Sequence, residues 1–94
     1  MSFVKTKLNK RGKTMARIID GAKMNLIGEN LKRIRKKKRV TQQSLSDKLE
    51  LLGVYVCRGS ISRIEDFSRT VTDIELYAIS KVLCVPVSDL IDEL

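Results

Sequence analysis

The sequence has no histidine and no tryptophan, and it has only one proline and two cysteines. Without histidine the chain lacks the commonest general base, and Cys57 and Cys84 lack the spacing of a zinc finger. Two thiols form at most one disulfide, which excludes a disulfide-rich secreted scaffold. We therefore expect no metal site, and we expect both cysteines to be reduced residues in or near the core of a cytoplasmic protein.

Long apolar runs are also missing. The longest, Val54–Cys57, Leu76–Ile79 and Val82–Val85, have four residues, whereas a membrane-spanning helix needs about 20. No apolar stretch follows the basic N-terminus, so the sequence predicts neither a membrane anchor nor a signal peptide. Because there is no glycine-rich phosphate loop and no nucleophile–base arrangement, we expect neither an enzyme nor a bound cofactor.

What the sequence does contain is enough apolar material for one core and a large excess of positive charge. Leucine, isoleucine, valine and phenylalanine supply 30 of 94 residues, above the ~20% below which disorder is expected. The formal net charge of +8 divides into +12 for residues 1–40 and −4 for residues 41–94. This asymmetry favours a polyanion partner, most often nucleic acid, and the alternative is a solvated tail that only aids solubility.

Residues 1–25 differ in composition from the rest and are predicted to form a flexible basic arm. Seven basic side chains alternate there with small and polar residues, and Gly12 and Gly21 interrupt any helical pattern. Translation from Met15 or Met24 is an alternative that would remove part of this basic arm. Residues 26–94 are predicted to form the folded domain.

Five short helices and no strand are predicted in residues 26–94, at about 27–38, 42–51, 58–67, 73–82 and 87–93. Thr41 and the Thr72–Glu75 capping-box pair mark helix starts, and Gly53 suits a helix end. Val54–Cys57 is predicted to be a loop. The residues expected to face the core are Ile27, Leu31, Ile34, Leu45, Leu49, Leu52, Ile61, Ile64, Leu76, Ile79, Leu83, Leu90 and Ile91.

Five segments carry a resemblance to a known family. They are Ile27–Arg35, Val40–Leu45, Leu52–Val54, Arg58–Glu65 and Leu83–Leu90. Together they resemble the lambda-repressor-like, or XRE/Cro-type, helix-turn-helix family over about residues 26–94. The resemblance implies an all-α, five-helix domain that binds double-stranded DNA as a dimer, with its third helix in the major groove.

The resemblance also implies roles for individual residues. The expected base-reading residues are Arg58, Gly59, Ser62 and Arg63. The expected phosphate contacts are Gln42, Ser60, Ser68, Arg69 and Thr70. Arg35 and Glu65 match the family's structural ion pair between its first and third helices. The alternatives are that both Arg58 and Arg63 bind only phosphate or water, and that Ser68 and Thr70 serve only the loop.

The chain departs from the family pattern at three places. The stretch from Leu49 to Ile61 is about five residues longer than the shortest family pattern. Phe67 stands where the family often has glycine, and its Cβ disfavours a left-handed exit from the helix. Gly59 replaces a longer base-reading side chain.

A sequence-specific transcriptional regulator, most simply a small stand-alone repressor, is therefore the expected function. Dimerisation is expected through the C-terminal helix, where the apolar residues are Val85, Val87, Leu90, Ile91 and Leu94. One alternative is an antitoxin-like module whose main partner is a co-encoded toxin protein. Another is a protein adaptor that kept the fold without binding DNA.

Overall fold

All five predicted helices are present in the computed structural model, which describes residues 7–8 and 14–15 by backbone alone and residues 21–91 in full. The helices are α1 (Gly28–Lys37), α2 (Gln42–Leu51), α3 (Arg58–Glu65), α4 (Asp73–Leu83) and α5 (Val87–Ile91). The prediction of an all-α protein is thus confirmed for residues 21–91.

Most of the predicted basic arm lies outside the described residues. Two short parts of the arm are described: β1 (Lys7–Leu8) pairs with β2 (Thr14–Met15) in an antiparallel ladder, with Lys7 opposite Met15. The sequence showed no sign of this pairing, because two residues per strand are too few to produce a visible alternation of apolar and polar positions.

A single apolar cluster lies between the helices of residues 21–91. Its buried members are Ile27, Leu31, Ile34, Leu45, Leu49, Val56, Ile61, Ile64, Ala78, Ile79, Leu83 and Leu90. Each fully buried leucine or isoleucine contributes about 1.5–3 kcal/mol relative to an exposed one. Every helix contributes residues to the cluster. The inner side of α3 packs against α1 and α2, and its other side faces solvent.

Three residues expected in the core are less buried than predicted. Leu52 is 55% exposed because α2 ends at Leu51 and the chain turns away at Gly53. Ile91 is 37% exposed, since successive helical residues point about 100° apart and Leu90 takes the inward position. Leu76 is half-buried.

The predicted helix starts are confirmed in atomic detail. The Thr41 hydroxyl accepts a hydrogen bond from the N–H of Ser44 at 3.0 Å. The Thr72 hydroxyl accepts from the N–H of Glu75, and the Glu75 carboxylate accepts from the N–H of Thr72. Both arrangements satisfy N–H groups that have no partner within their helix.

Helices α1 to α4 end with the same backbone geometry, a left-handed residue. The sequence indicated such an end only for α2, at Gly53. A residue in the left-handed conformation closes each of α1 to α4: Arg39, Gly53 and Phe67 lie two residues after their helices end, and Cys84 directly follows α4. For α3, the Phe67 N–H bonds to the Ile64 carbonyl and the Ser68 N–H bonds to the Arg63 carbonyl, which is a Schellman motif. The helix therefore stops at Glu65 instead of continuing to Phe67, and Phe67 adopts a φ of 66° despite its Cβ.

Candidate nucleic-acid interface

The solvent-facing side of α3 is made of the four residues predicted to read bases. Ile61 and Ile64 are completely buried on the inner side. Arg58, Gly59, Ser62 and Arg63 are all exposed on the outer side. This separation follows from the helical period, which turns positions 61 and 64 inward and leaves the remaining positions outward. The outer face therefore presents two guanidinium groups and one hydroxyl.

A short chain of hydrogen bonds joins three side chains at the start of α3. The Cys57 thiol donates to the Ser60 hydroxyl oxygen at 3.3 Å, and Arg63 Nη2 donates to the same oxygen at 3.1 Å. When Cys57 is ionised, the Ser60 hydroxyl can donate to its sulfur instead, and this bond lowers the pKa of the thiol, helped by the N–H groups of Ser60 and Gly59 and the charge of Arg63. Ser60, predicted as a phosphate contact, thus also holds an arginine of the outer face.

The prediction that both cysteines are core or near-core residues is wrong. Cys57 and Cys84 are free and exposed. Cys57 is the residue before the first turn of α3, and Cys84 follows α4 in the left-handed conformation. Both positions belong to chain reversals at helix ends, which lie at the surface, so the apolar character of the thiol does not decide their placement.

The predicted pair of Arg35 and Glu65 lies between α1 and α3. Arg35 Nε is 2.6 Å from Glu65 Oε2, and Arg35 Nη2 is 3.0 Å from Glu65 Oε1. The two side chains are only 9% and 4% exposed. Arg35 also donates to the Val40 carbonyl, so it closes the α1–α2 connection as well. The geometry is bidentate and directional.

Gln42 connects this ion pair to the N-terminus of α2. Its Nε2 donates to Glu65 Oε1 at 3.0 Å, and its side chain is half-buried. Gln42 is therefore fixed by α3, and α2 presents its first N–H groups beside it. The predicted phosphate contact by Gln42 would involve the first turn of α2, where the open N–H groups favour an anion.

The segment after α3 carries the other three predicted phosphate contacts. The single O–H of Ser68 donates to Asp66 Oδ1, with the Arg63 carbonyl oxygen a second, longer acceptor at 3.3 Å, and Thr70 is exposed. Arg69 makes a bidentate pair with Glu75, with its Nη1 and Nη2 atoms 3.0 and 2.8 Å from the two carboxylate oxygens. This pair holds the pKa of the Glu75 carboxyl below its usual value. Arg69 thus ties the segment to the start of α4.

Asn25 is the residue that sequence reasoning missed most clearly. Its Oδ1 accepts from the N–H groups of Ile27 and Gly28, and its Nδ2 donates to the carbonyls of Ile64 and Arg69. It therefore binds the N–H of Ile27 and the first N–H of α1, and it joins the start of α1 to the end of α3. An asparagine just before a helix is a capping signal, but Asn25 falls within the stretch predicted to be the basic arm.

Two more contacts join the residues before Asn25 to Phe67, just after the end of α3. The Met24 N–H donates to the Phe67 carbonyl at 3.0 Å, and the Lys23 ammonium lies 4.4 Å from the centre of the Phe67 ring. Contacts with the helical unit thus include Lys23, Met24 and Asn25, which lie before the predicted domain boundary at 25/26.

Exposed cations surround α1 and its C-terminal end. Lys32, Arg33, Lys36 and Lys37 are exposed, and Lys38 and Arg39 follow in the turn before α2. Because this turn leads directly into the N-terminus of α2, the positive side chains lie next to the first N–H groups of that helix. The local electrostatic field there favours an anion.

Exposed apolar side chains occur at three other places, one of which is formed by Ile74 and Tyr77 on α4. Leu51, Leu52 and Tyr55, beside the α2–α3 connection, are 86%, 55% and 78% exposed. A groove of about 400 Å³ lies between residues 24–27 and 70–73, and Leu76 and Ile91 also line it. Apolar side chains clustered at a surface are typical of contacts with another protein.

Within residues 21–91, no helix has the length and apolar character needed to cross a bilayer, and no three acidic or cysteine side chains converge to hold a metal ion. Neither models of known protein families nor the curated protein sequences give a match to this chain.

Proposed function

We propose that the protein is a cytoplasmic, sequence-specific DNA-binding regulator of transcription, most simply a repressor, in which α2 and α3 form the helix-turn-helix. The observation that carries this proposal is the outer face of α3. The inner side of the same helix has two completely buried isoleucines. The outer face exposes Arg58, Ser62 and Arg63 around Gly59. Such a face, supported by a rigid core, suits insertion into a groove of the duplex.

The hydrogen-bonding groups of this face match guanine. In the major groove guanine presents two acceptors, O6 and N7, to which an arginine fork donates two parallel bonds. Arg58 and Arg63 are the long cationic side chains among the four predicted base-reading residues. Gly59 has open space where a side chain would stand, apart from Arg63 Nη1 at 3.6 Å. The backbone of α3 can therefore approach a thymine methyl group or a phosphate at this position.

The distribution of charge supports the same partner. The net charge of +12 in residues 1–40 includes the exposed cations of α1 and the six of residues 1–20. Positive side chains release counterions from the duplex and provide affinity without sequence preference. Contacts with the phosphates would then fix the position of the protein along the duplex. They would come from the N-terminus of α2 with Gln42 and from the segment with Ser68 and Thr70.

A dimer completes the proposal, because one helix reads too few base pairs to select a genomic site. The C-terminal residues are the proposed contact. Leu90 is completely buried in the core of the single chain. Val85 and Val87 are half-buried, and Ile91 is 37% exposed. Leu94 lies outside the described residues. Ile91 also borders the groove lined by Met24 and Leu26, which extends the exposed apolar area.

Selection of bound sequences from a random DNA pool, followed by sedimentation of the protein with the selected duplex, tests this proposal. The expected product is an inverted repeat with half-site centres about 34 Å apart, bound by two chains. A pool without enriched sequences would contradict sequence-specific binding. A single chain on one asymmetric half-site at saturating protein would contradict the dimer alone.

A second candidate is an antitoxin-like module that binds a co-encoded toxin. The observation that favours it is the exposed apolar group of Leu51, Leu52 and Tyr55, which no other part of residues 21–91 covers. Co-expression with the product of the adjacent gene distinguishes the two candidates. A stable complex that is lost in Leu51→Ser/Tyr55→Ser, with DNA binding intact, would support a toxin partner.

A further inference from the structure

The orientation of Arg63 depends on a neighbouring side chain of α3. A long arginine on an exposed helix face normally samples many rotamers and loses that freedom when it binds. Here Nη2 of Arg63 donates to the Ser60 hydroxyl oxygen at 3.1 Å. Residues 60 and 63 are three apart and therefore neighbours on the helix surface. The guanidinium is thus turned back toward the N-terminus of α3.

Gly59 lies next to the Arg63 guanidinium in this conformation. A Cβ at position 59 would lie 3.6 Å from Arg63 Nη1, and no other side chain beyond those of the two adjacent residues comes within 4 Å. This is an ordinary van der Waals distance, so alanine at position 59 is compatible with this conformation of Arg63. A side chain that extends beyond Cβ would be needed to reach the volume of the guanidinium.

The Ser60 oxygen accepts two hydrogen bonds, from Arg63 and from the Cys57 thiol. A hydroxyl has one donor and two acceptor positions, so the remaining capacity of Ser60 is its own O–H as a donor. The remaining N–H groups of Arg63 are donors as well. Together the two side chains present only donors, which suits the O6 and N7 acceptors of guanine and does not suit the N6 amino group of adenine.

We propose that Ser60 is the positioning residue that holds Arg63 for guanine recognition, an inference that rests on the proposed function. Ser60 then controls sequence preference through Arg63, in place of the phosphate contact expected from the sequence. The two roles differ in a measurable way. Removal of a phosphate contact weakens binding to every duplex alike, whereas loss of positioning weakens binding to the selected duplex only.

The test measures affinities of the full-length chain by fluorescence anisotropy, for a duplex taken from the random-pool selection and for an unrelated duplex at the same salt concentration. Ser60→Ala should lower affinity for the selected duplex roughly two- to tenfold, as expected for one hydrogen bond, with little change on the unrelated duplex. Ser60→Thr keeps a hydroxyl and should restore most of the affinity. Ser46→Ala, a matched change on α2, should have no effect. Circular dichroism checks that each variant is folded.

A double-mutant cycle separates positioning from a direct contact. If Ser60 acts through Arg63, Ser60→Ala should cause no further loss in an Arg63→Ala background. An additive loss, or an equal loss on both duplexes, would overturn the inference.

The failure of the inference can be told from the failure of the proposed function. If Arg63→Ala reduces preference for the selected duplex while Ser60→Ala leaves it unchanged, only the positioning role is wrong. If the pool yields no preferred sequence, both proposals are wrong.

Discussion

At the scale of single residues, the central structural feature is the buried pair of Arg35 and Glu65. Each charge is largely shielded from water, and each is compensated by the other and by a further hydrogen bond, from Gln42 to Glu65 and from Arg35 to Val40. Removal of one partner would leave a buried charge without compensation. The same carboxylate also holds the first residue of α2, so the pair couples three helices.

We therefore predict that Arg35→Ala or Glu65→Ala lowers the free energy of unfolding by about 3–5 kcal/mol. Urea denaturation at neutral pH measures the change, and Lys36→Ala on the exposed side of α1 serves as the control. Values within about 0.5 kcal/mol of the wild type for both variants would show that the pair does not stabilise the fold.

Glu75 gives a pH-dependent prediction. Its pKa is lowered by the hydrogen bonds from Arg69, with help from Thr72, relative to an ordinary value of 4.5. A carboxyl with a depressed folded-state pKa stabilises the fold above its unfolded pKa, and this stabilisation is lost as the pH falls through the folded pKa. The contribution should therefore be complete at neutral pH and decline below about pH 4.5.

Glu75→Gln keeps a capping side chain but removes the charge. We expect it to be about 1 kcal/mol less stable than the wild type at pH 7, with the difference shrinking as the pH falls below 4.5. Denaturation curves of both proteins across this range provide the measurement. A difference that is constant with pH would show that the charge of Glu75 is irrelevant to stability.

At the scale of helices, α1 approaches α3 more closely than a side chain at position 28 would allow. A Cβ on Gly28 would collide with the Ile64 carbonyl and lie 3.1 Å from the Glu65 carbonyl. These are backbone atoms, which cannot move without shifting α3. Gly59, by contrast, has space for a Cβ on the exposed face.

The two glycines should therefore respond in opposite ways to alanine. Gly28→Ala should destabilise the protein by about 1–3 kcal/mol through overpacking. Gly59→Ala should stabilise it by about 0.5 kcal/mol, because alanine is a better helix former. Thermal denaturation of both variants tests the pair, and a Gly28→Ala protein as stable as the wild type would contradict the close approach.

Sequence reasoning located the helix starts better than the helix ends. Thr41 and Thr72 cap their helices through hydroxyl groups that are recognisable in the sequence. The ends at Arg39, Phe67 and Cys84 use left-handed residues without glycine, and their cost of roughly 1–2 kcal/mol is offset by hydrogen bonds that no local pattern reveals. The surface position of Cys84 follows from the end of α4, whereas Cys57 lies at the start of α3.

At the scale of the whole molecule, the outer face of α3 was predictable and its supporting contacts were not. The apolar spacing of Ile61 and Ile64 was sufficient to place Arg58 and Arg63 outward. The supporting contacts are the ion pair of Arg69 with Glu75 and the four hydrogen bonds of Asn25. They depend on how α1, α3 and α4 pack together, and the periodicity of a single helix does not predict that packing.

The basic arm gives a prediction about affinity. Its six cations in residues 1–20 are Lys5, Lys7, Lys10, Arg11, Lys13 and Arg17. Replacement of all six by glutamine should weaken binding to selected and unrelated duplexes alike. The slope of log K against log salt should flatten by about 0.9 for each phosphate that the arm no longer neutralises. An unchanged slope would show that these side chains do not contact DNA.

The central claim is that α3 reads bases through Arg58 and Arg63. The most direct measurement is the ratio of affinities for the selected and an unrelated duplex, at one salt concentration, in Arg58→Ala, Arg63→Ala and Gln42→Ala. At least one arginine variant should lose about 1–3 kcal/mol on the selected duplex and almost nothing on the unrelated one, whereas Gln42→Ala should weaken both. If both arginine variants keep the wild-type ratio, α3 is not the element that reads the sequence.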